Sequence, residues 1–135
     1  MTYLLDTNAC VMYLNGRAPR LRRRLDQCRP DEIVVCSVVK AELFYGAMKS
    51  NNPNTTLQKQ KDFLLPYLSL PFDDIATAAY ATIRADLERI GTPIGGNDLM
   101  IAAIAMTAGL TVITHNCREF GRVAGLQVED WEAAL

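Results

Sequence analysis

Three short runs of this chain are apolar at nearly every position: YLL at 3–5, IVVCSVV at 33–39 and LTVIT at 110–114. A strand with one solvated face alternates apolar and polar residues; these do not, so each predicts a strand buried on both faces. Helical patterns fill the intervals. Ala9–Leu14 reads as a helix stopped by Asn15-Gly16, and Leu21, Leu25 and Cys28 form a stripe with arginines on the other face. Pro30-Asp31 marks a turn. Residues 40–48 turn helical, 50–54 read as a loop, and 57–68 as a helix broken near Pro66. The segment 73–91 is the clearest helix, with Ile75, Ala79, Ile83, Leu87 and Ile90 on one stripe, two aspartates at its start and Gly91 at its end. Asn97 reads as the N-cap of a further helix, apolar nearly all round, that Gly109 closes. The tail from 125 reads as a short edge strand and a last helical turn. Doubly buried strands alternating with helices define an α/β class: one domain over residues 1–135, with a central parallel sheet covered on both sides.

In such folds ligand sites lie along the carboxyl edge of the sheet. Asp6 ends the first strand, Glu42 follows the second, and Asp98 opens the buried helix after Gly95-Gly96. His115, Asn116 and Glu119 follow the strand at 110–114. Each alone reads as a cap, a turn or an exposed helix residue; the weight rests on all of them meeting at one edge. Three carboxylates brought together repel, and shared protons or a bound cation relieve them. Oxygen ligands select hard cations, Mg²⁺ or Mn²⁺. Such an ion can activate a water against a phosphodiester.

Other properties narrow the field. The net charge of −1 gives no overall attraction to nucleic acid, but five of the ten arginines fall within residues 17–24. Arg22, Arg23 and Arg24 in that run are candidates for contact with RNA phosphates or an acidic partner. The four cysteines, Cys10, Cys28, Cys36 and Cys117, form no C-x-x-C pair, which reads as a reducing compartment without a disulfide framework. His115 and Cys117 lack the second cluster that a zinc site needs. The longest uncharged run, Leu99–Thr114, is shorter than the roughly 20 residues of a membrane span. No signal peptide is visible, so the chain reads as cytoplasmic.

The words LLDTN (4–8), SVVKAELFYGA (37–47), IGGNDLMIAA (94–103) and VITHNCREF (112–120) resemble the four motif blocks of the PIN-domain ribonucleases. They are most similar to the VapC toxins of bacterial toxin–antitoxin modules, as is the closing GLQVEDW (125–131). The resemblance implies a PIN-like sheet of about four to five strands and a Mg²⁺-dependent endoribonuclease, with Mn²⁺ a plausible substitute. It implies Asp6, Glu42 and Asp98 as acidic, metal-binding residues, with Thr7, Asn8 and Thr114 in support. The family's fourth acidic position falls in the last block, and either Asn116 or Glu119 takes it. Also implied are a VapB-type antitoxin, a homodimer, and an RNA substrate that for this subgroup is initiator tRNA, cut in the anticodon loop. Two phosphoryl-transfer rivals fit less well: a phosphoacceptor domain wants a lysine after the late strand, and no lysine follows Lys61; a haloacid-dehalogenase-like phosphatase wants aspartate where Asn8 stands. A catalytically inactive PIN-like module that only binds RNA or protein is the remaining alternative.

Overall fold

The computed structural model describes residues 1–133. β1 (Tyr3–Leu5), β2 (Ile33–Cys36), β3 (Leu68–Leu70), β4 (Thr111–Ile113) and β5 (Val128–Glu129) form one parallel sheet in the order β3-β2-β1-β4-β5. Seven helices flank it: α1 (Thr7–Leu14), α2 (Pro19–Gln27), α3 (Ser37–Met48), α4 (Pro53–Leu64), α5 (Asp74–Arg89), α6 (Gly96–Ala108) and α7 (Cys117–Phe120). The five-stranded parallel sheet flanked by helices agrees with the α/β architecture expected from the sequence.

The centre of the sheet is apolar through both faces. Leu4 pairs with Val34 on one side and Val112 on the other, Leu5 pairs with Ile113, and all five are buried. That is why these strands carry no alternation. The chain steps outward from β1 through β2 to β3, then returns to the opposite side of β1 for β4. The reversal leaves a crevice at the carboxyl ends of β1 and β4, where sheets of this kind bind ligands. Just beyond β1, the Asp6 N–H donates to the Ile113 carbonyl at 3.1 Å.

Several boundaries differ from the sequence reading. The second strand stops at Cys36, and Val38 and Val39 are buried on α3 instead; an apolar run feeding a buried helix carries no period that separates the two. α4 begins at Pro53, inside the expected loop, because proline suits the first helical position. The expected helix at 57–68 gives way to β3, a three-residue strand whose Leu68 is exposed. On α5, Ile75 and Ile90 are exposed at 68% and 66%, and Ala76 and Leu87 supply the fully buried contacts. α6 is capped at Gly95 rather than Asn97; at its other end Gly109 takes φ +68°, the left-handed region that favours glycine. The tail forms β5 as expected. Where the last helical turn was expected, residues 131 and 132 form a turn and 133 a bend, and residues 134 and 135 lie outside those described. Trp131 is buried edge-on against Tyr3, ring centroids 4.8 Å apart. All four cysteines are free thiols, and no described helix is long and apolar enough to cross a membrane.

Candidate active site

Asp6 is the first residue beyond β1 and the N-cap of α1. Its Oδ1 accepts the Ala9 N–H at 2.7 Å, which satisfies one of the open donors at the start of the helix. The local sequence thus explains the turn from strand to helix, but the position costs energy. The side chain is only 3% exposed. Burial pushes the carboxyl up from its ordinary 3.8 to about 6, against the lowering effect of the Thr114 hydroxyl and the Ala9 N–H; repulsion from Glu42 and Asp130 adds to the rise.

Glu42 reaches the same place from α3. Its Oε1 accepts the Thr7 hydroxyl at 2.6 Å, so the residue after Asp6 orients the second acid. Asp98 comes from the first turn of α6. Its carboxyl is also raised to about 6, first by burial, then by the Asp6 charge, and then by a hydrogen bond that its protonated form donates to Glu119. Glu119, on α7, accepts the Asn116 side-chain amide at 3.1 Å. The Asn116 N–H in turn donates to the Thr114 hydroxyl at 2.8 Å. The two candidates for the fourth acidic position thus sit together: the glutamate stands beside Asp98, and the asparagine hydrogen-bonds the glutamate.

Asp6, Thr7, Asn8, Glu42, Asp98 and Asn116 line one open pocket of about 500 Å³. No lysine or arginine forms an ion pair with Asp6, Glu42, Asp98 or Glu119 among the described residues. The cluster is thus negative and unbalanced by the protein itself, which is the condition a cation satisfies. Among the described residues no three acidic, histidine or cysteine side chains converge tightly enough to hold a metal ion on their own. The acids surround a space rather than a point. An all-oxygen, open donor set fits magnesium, which keeps several waters and takes few carboxylates directly.

His115 also borders the pocket, with Nδ1 2.9 Å from Asp130 Oδ2. Asp130 is a fifth acid that the sequence reading did not place here. It follows a two-residue edge strand, and the only signal was its membership of the GLQVEDW block. The arginine run is partly tied to its own chain. Arg22 donates to the Tyr13 carbonyl and lies 4.4 Å from that ring's centroid; Arg24 sits 4.8 Å from the Trp131 ring and 3.5 Å from Glu129. Arg23 makes no ion pair with an acidic side chain among the described residues and is exposed.

An acid-lined crevice at the switch point of a five-stranded parallel sheet defines a PIN-type site, and residues 3–126 match the PIN domain family. Over 131 residues the chain is 37% identical to the tRNA(fMet)-specific endonuclease VapC of Salmonella typhimurium, covering 97% of this chain and 98% of that protein. It is 36% identical to ribonuclease VapC2 of Haemophilus influenzae over the same shares. The crystal structure of DNA-bound VapBC from Salmonella typhimurium superposes with a TM-score of 0.91 at 37% identity, covering 97% of this chain and 98% of that one. VapBC2 from Rickettsia felis, bound to a DNA fragment from its promoter, gives 0.90 at 35% identity over 97% and 99%. The chain belongs to the PIN domain family and, within it, to the VapC ribonucleases.

Proposed function

We propose that this chain is the endoribonuclease toxin of a toxin–antitoxin pair and cuts RNA phosphodiester bonds with the help of Mg²⁺, or Mn²⁺ in its place. The observation that carries the reading is the pocket itself: three carboxylates line it, Asp6 and Asp98 are raised to about 6, Glu119 stands beside Asp98, and no lysine or arginine pairs with any of them among the described residues. When bound there, the ion supplies charge neutralisation, Lewis acidity toward the phosphodiester and a water of lowered pKa. Asp6 and Asp98 are the residues proposed to hold it directly, with Glu42 completing the set directly or through water. Thr7 keeps the Glu42 carboxylate turned inward. Thr114 and the Ala9 N–H fix Asp6, and Asn116 fixes Glu119 beside Asp98. Asn8 borders the pocket as a neutral polar wall. This division of labour keeps the carboxylates from collapsing onto one another before substrate arrives.

Further proposals follow, of which the named relatives support the tRNA substrate and the VapB-type antitoxin. The substrate is tRNA, with the initiator tRNA anticodon loop as the specific candidate. The chain works as a homodimer, is silenced by a VapB-type antitoxin, and acts in the cytoplasm. The arginine helix α2 contributes to RNA binding through Arg23, the freest of its three central arginines. The direct test incubates purified protein with total tRNA in Mg²⁺ and in EDTA, beside Asp6→Asn and Asp98→Asn. The wild type cuts only with the metal, and both variants fall on the order of 10³-fold, several kcal/mol of transition-state stabilisation. Cleavage that survives chelation or either substitution would overturn the mechanism. RNA binding without any cleavage by the wild type would favour the inactive binding module.

A further inference from the structure

A second hollow adjoins the acidic pocket. It lies between α3 and α6, has a volume of about 420 Å³, and shares Glu42 with the pocket as a common wall. Its chemistry changes abruptly beyond that wall. Val38, Ala41 and Met100 make it apolar, and Tyr45 stands over it 64% exposed. The Lys49 ammonium is 4.8 Å from the Tyr45 ring centroid, which steadies the ring through a cation–π contact and leaves its other side available. Exposed Ser37 and Asn97 supply a hydroxyl and an amide at the rim. An exposed aromatic plane, apolar walls and a few polar groups able to both donate and accept are what an unstacked base requires of a protein.

We propose that this hollow receives an unpaired nucleobase of the RNA next to the scissile phosphate, stacked on Tyr45 with its edge toward Asn97 and Ser37. The proposal rests on the ribonuclease reading and gives it a substrate-positioning element. Its occupant is argued from continuity: a chain whose phosphate lies in the acidic pocket must pass a neighbouring nucleoside over one of the pocket's walls, and Glu42 is the wall both spaces share. Tyr45 is thus a positioning residue that contacts substrate without touching the reacting atoms.

The test uses a hairpin RNA with a mapped cut, and the same RNA with an abasic ribose at each nucleotide flanking the cut in turn. With wild type, removal of the correct base lowers kcat/KM by roughly 5- to 150-fold, the range of one base–aromatic stack. Tyr45→Ala loses a similar factor on the intact RNA and little more on the abasic one, whereas Tyr45→Phe keeps the wild-type rate. A second readout needs no chemistry: with 2-aminopurine at the sensitive position, its fluorescence falls when Asp98→Asn protein binds, and does not when Tyr45→Ala is added to that variant. Equal losses for Tyr45→Ala on intact and abasic RNA would overturn the proposal. So would unchanged rates, or a change in sedimentation showing that Tyr45 instead joins two copies of the chain. If the wild type cuts no RNA yet the fluorescence response persists, the nuclease reading fails and the base site stands.

Discussion

Consider two neighbouring residues where the central strand ends. Leu5 is 1% exposed, lies within the β1–β4 ladder and is surrounded by apolar neighbours. Asp6, one position on, is 3% exposed and equally out of water, but carries a carboxylate in a field of other carboxylates. The two sites differ by one residue in depth and by the whole sign of their contribution. Burial of leucine stabilises the fold by about 2 kcal/mol. Burial of Asp6 costs stability at neutral pH, and its hydrogen bonds from the Thr114 hydroxyl and, as the cap of α1, from the Ala9 N–H return only part of it. The lesson is where this fold keeps its stability and where it keeps its chemistry: the first lies in the ladder, the second at its carboxyl end.

The sharpest way to break the comparison is to exchange the roles of the two positions. Leu5→Ala, in the ladder, should cost about 2–5 kcal/mol in denaturant melts by opening a cavity. Asp6→Asn should leave the metal-free protein as stable as wild type or more so at pH 7.5, since asparagine still caps the helix and bears no charge. A large loss of stability from Asp6→Asn would show that the carboxylate is structural. Next in size is the pH dependence. The folded protein holds a proton on Asp6 more tightly than the unfolded chain does, so that stability is fully present below about 3.8 and is lost as pH rises through about 6. Asp98 shifts in the same direction. In EDTA the melting temperature should therefore fall from pH 5 to pH 7.5, with about 1.4 kcal/mol at stake for Asp6 over that interval, and Asp6→Asn should flatten the curve.

Smaller effects test the supporting residues. Asn116→Ala frees Glu119 and should lower kcat about tenfold, one hydrogen bond's worth, with KM for RNA little changed. Asn116→Asp, which adds a further negative charge beside Glu119, should raise the Mg²⁺ dependence rather than restore the rate. Arg23→Ala should leave stability unchanged and reduce the salt slope of RNA binding by about 0.7, one phosphate contact on a single strand. An unchanged slope assigns Arg23 to solvent or to the antitoxin.

How much of this was legible before the structure follows the same division. The ladder announced itself because residues buried on both faces cannot alternate, so β1, β2 and β4 stood out. β3 did not, being three residues long at an edge, where burial imposes no pattern, whereas the two-residue β5 was legible in the tail as a short edge strand. The start of α3 was misplaced because Val38 and Val39 are as apolar as the strand before them. Asp6, Glu42 and Asp98 could be singled out because a charge beside a buried segment is an anomaly that needs a reason. The Asn116–Glu119 pairing and the approach of Asp130 could not, because both depend on side-chain directions in short irregular segments. Nor could the anchoring of Arg24 over Trp131, a contact between residues 107 positions apart in sequence.

The central claim is that the carboxylate edge is made tolerable by a divalent ion. Thermal unfolding of the metal-free protein, titrated with Mg²⁺ at pH 7.5 and at pH 5, addresses it directly. The melting temperature should climb with Mg²⁺ at pH 7.5, climb far less at pH 5 where protons already neutralise the cluster, and not respond in Asp6→Asn. A wild-type melting temperature indifferent to Mg²⁺ at pH 7.5 would contradict the account.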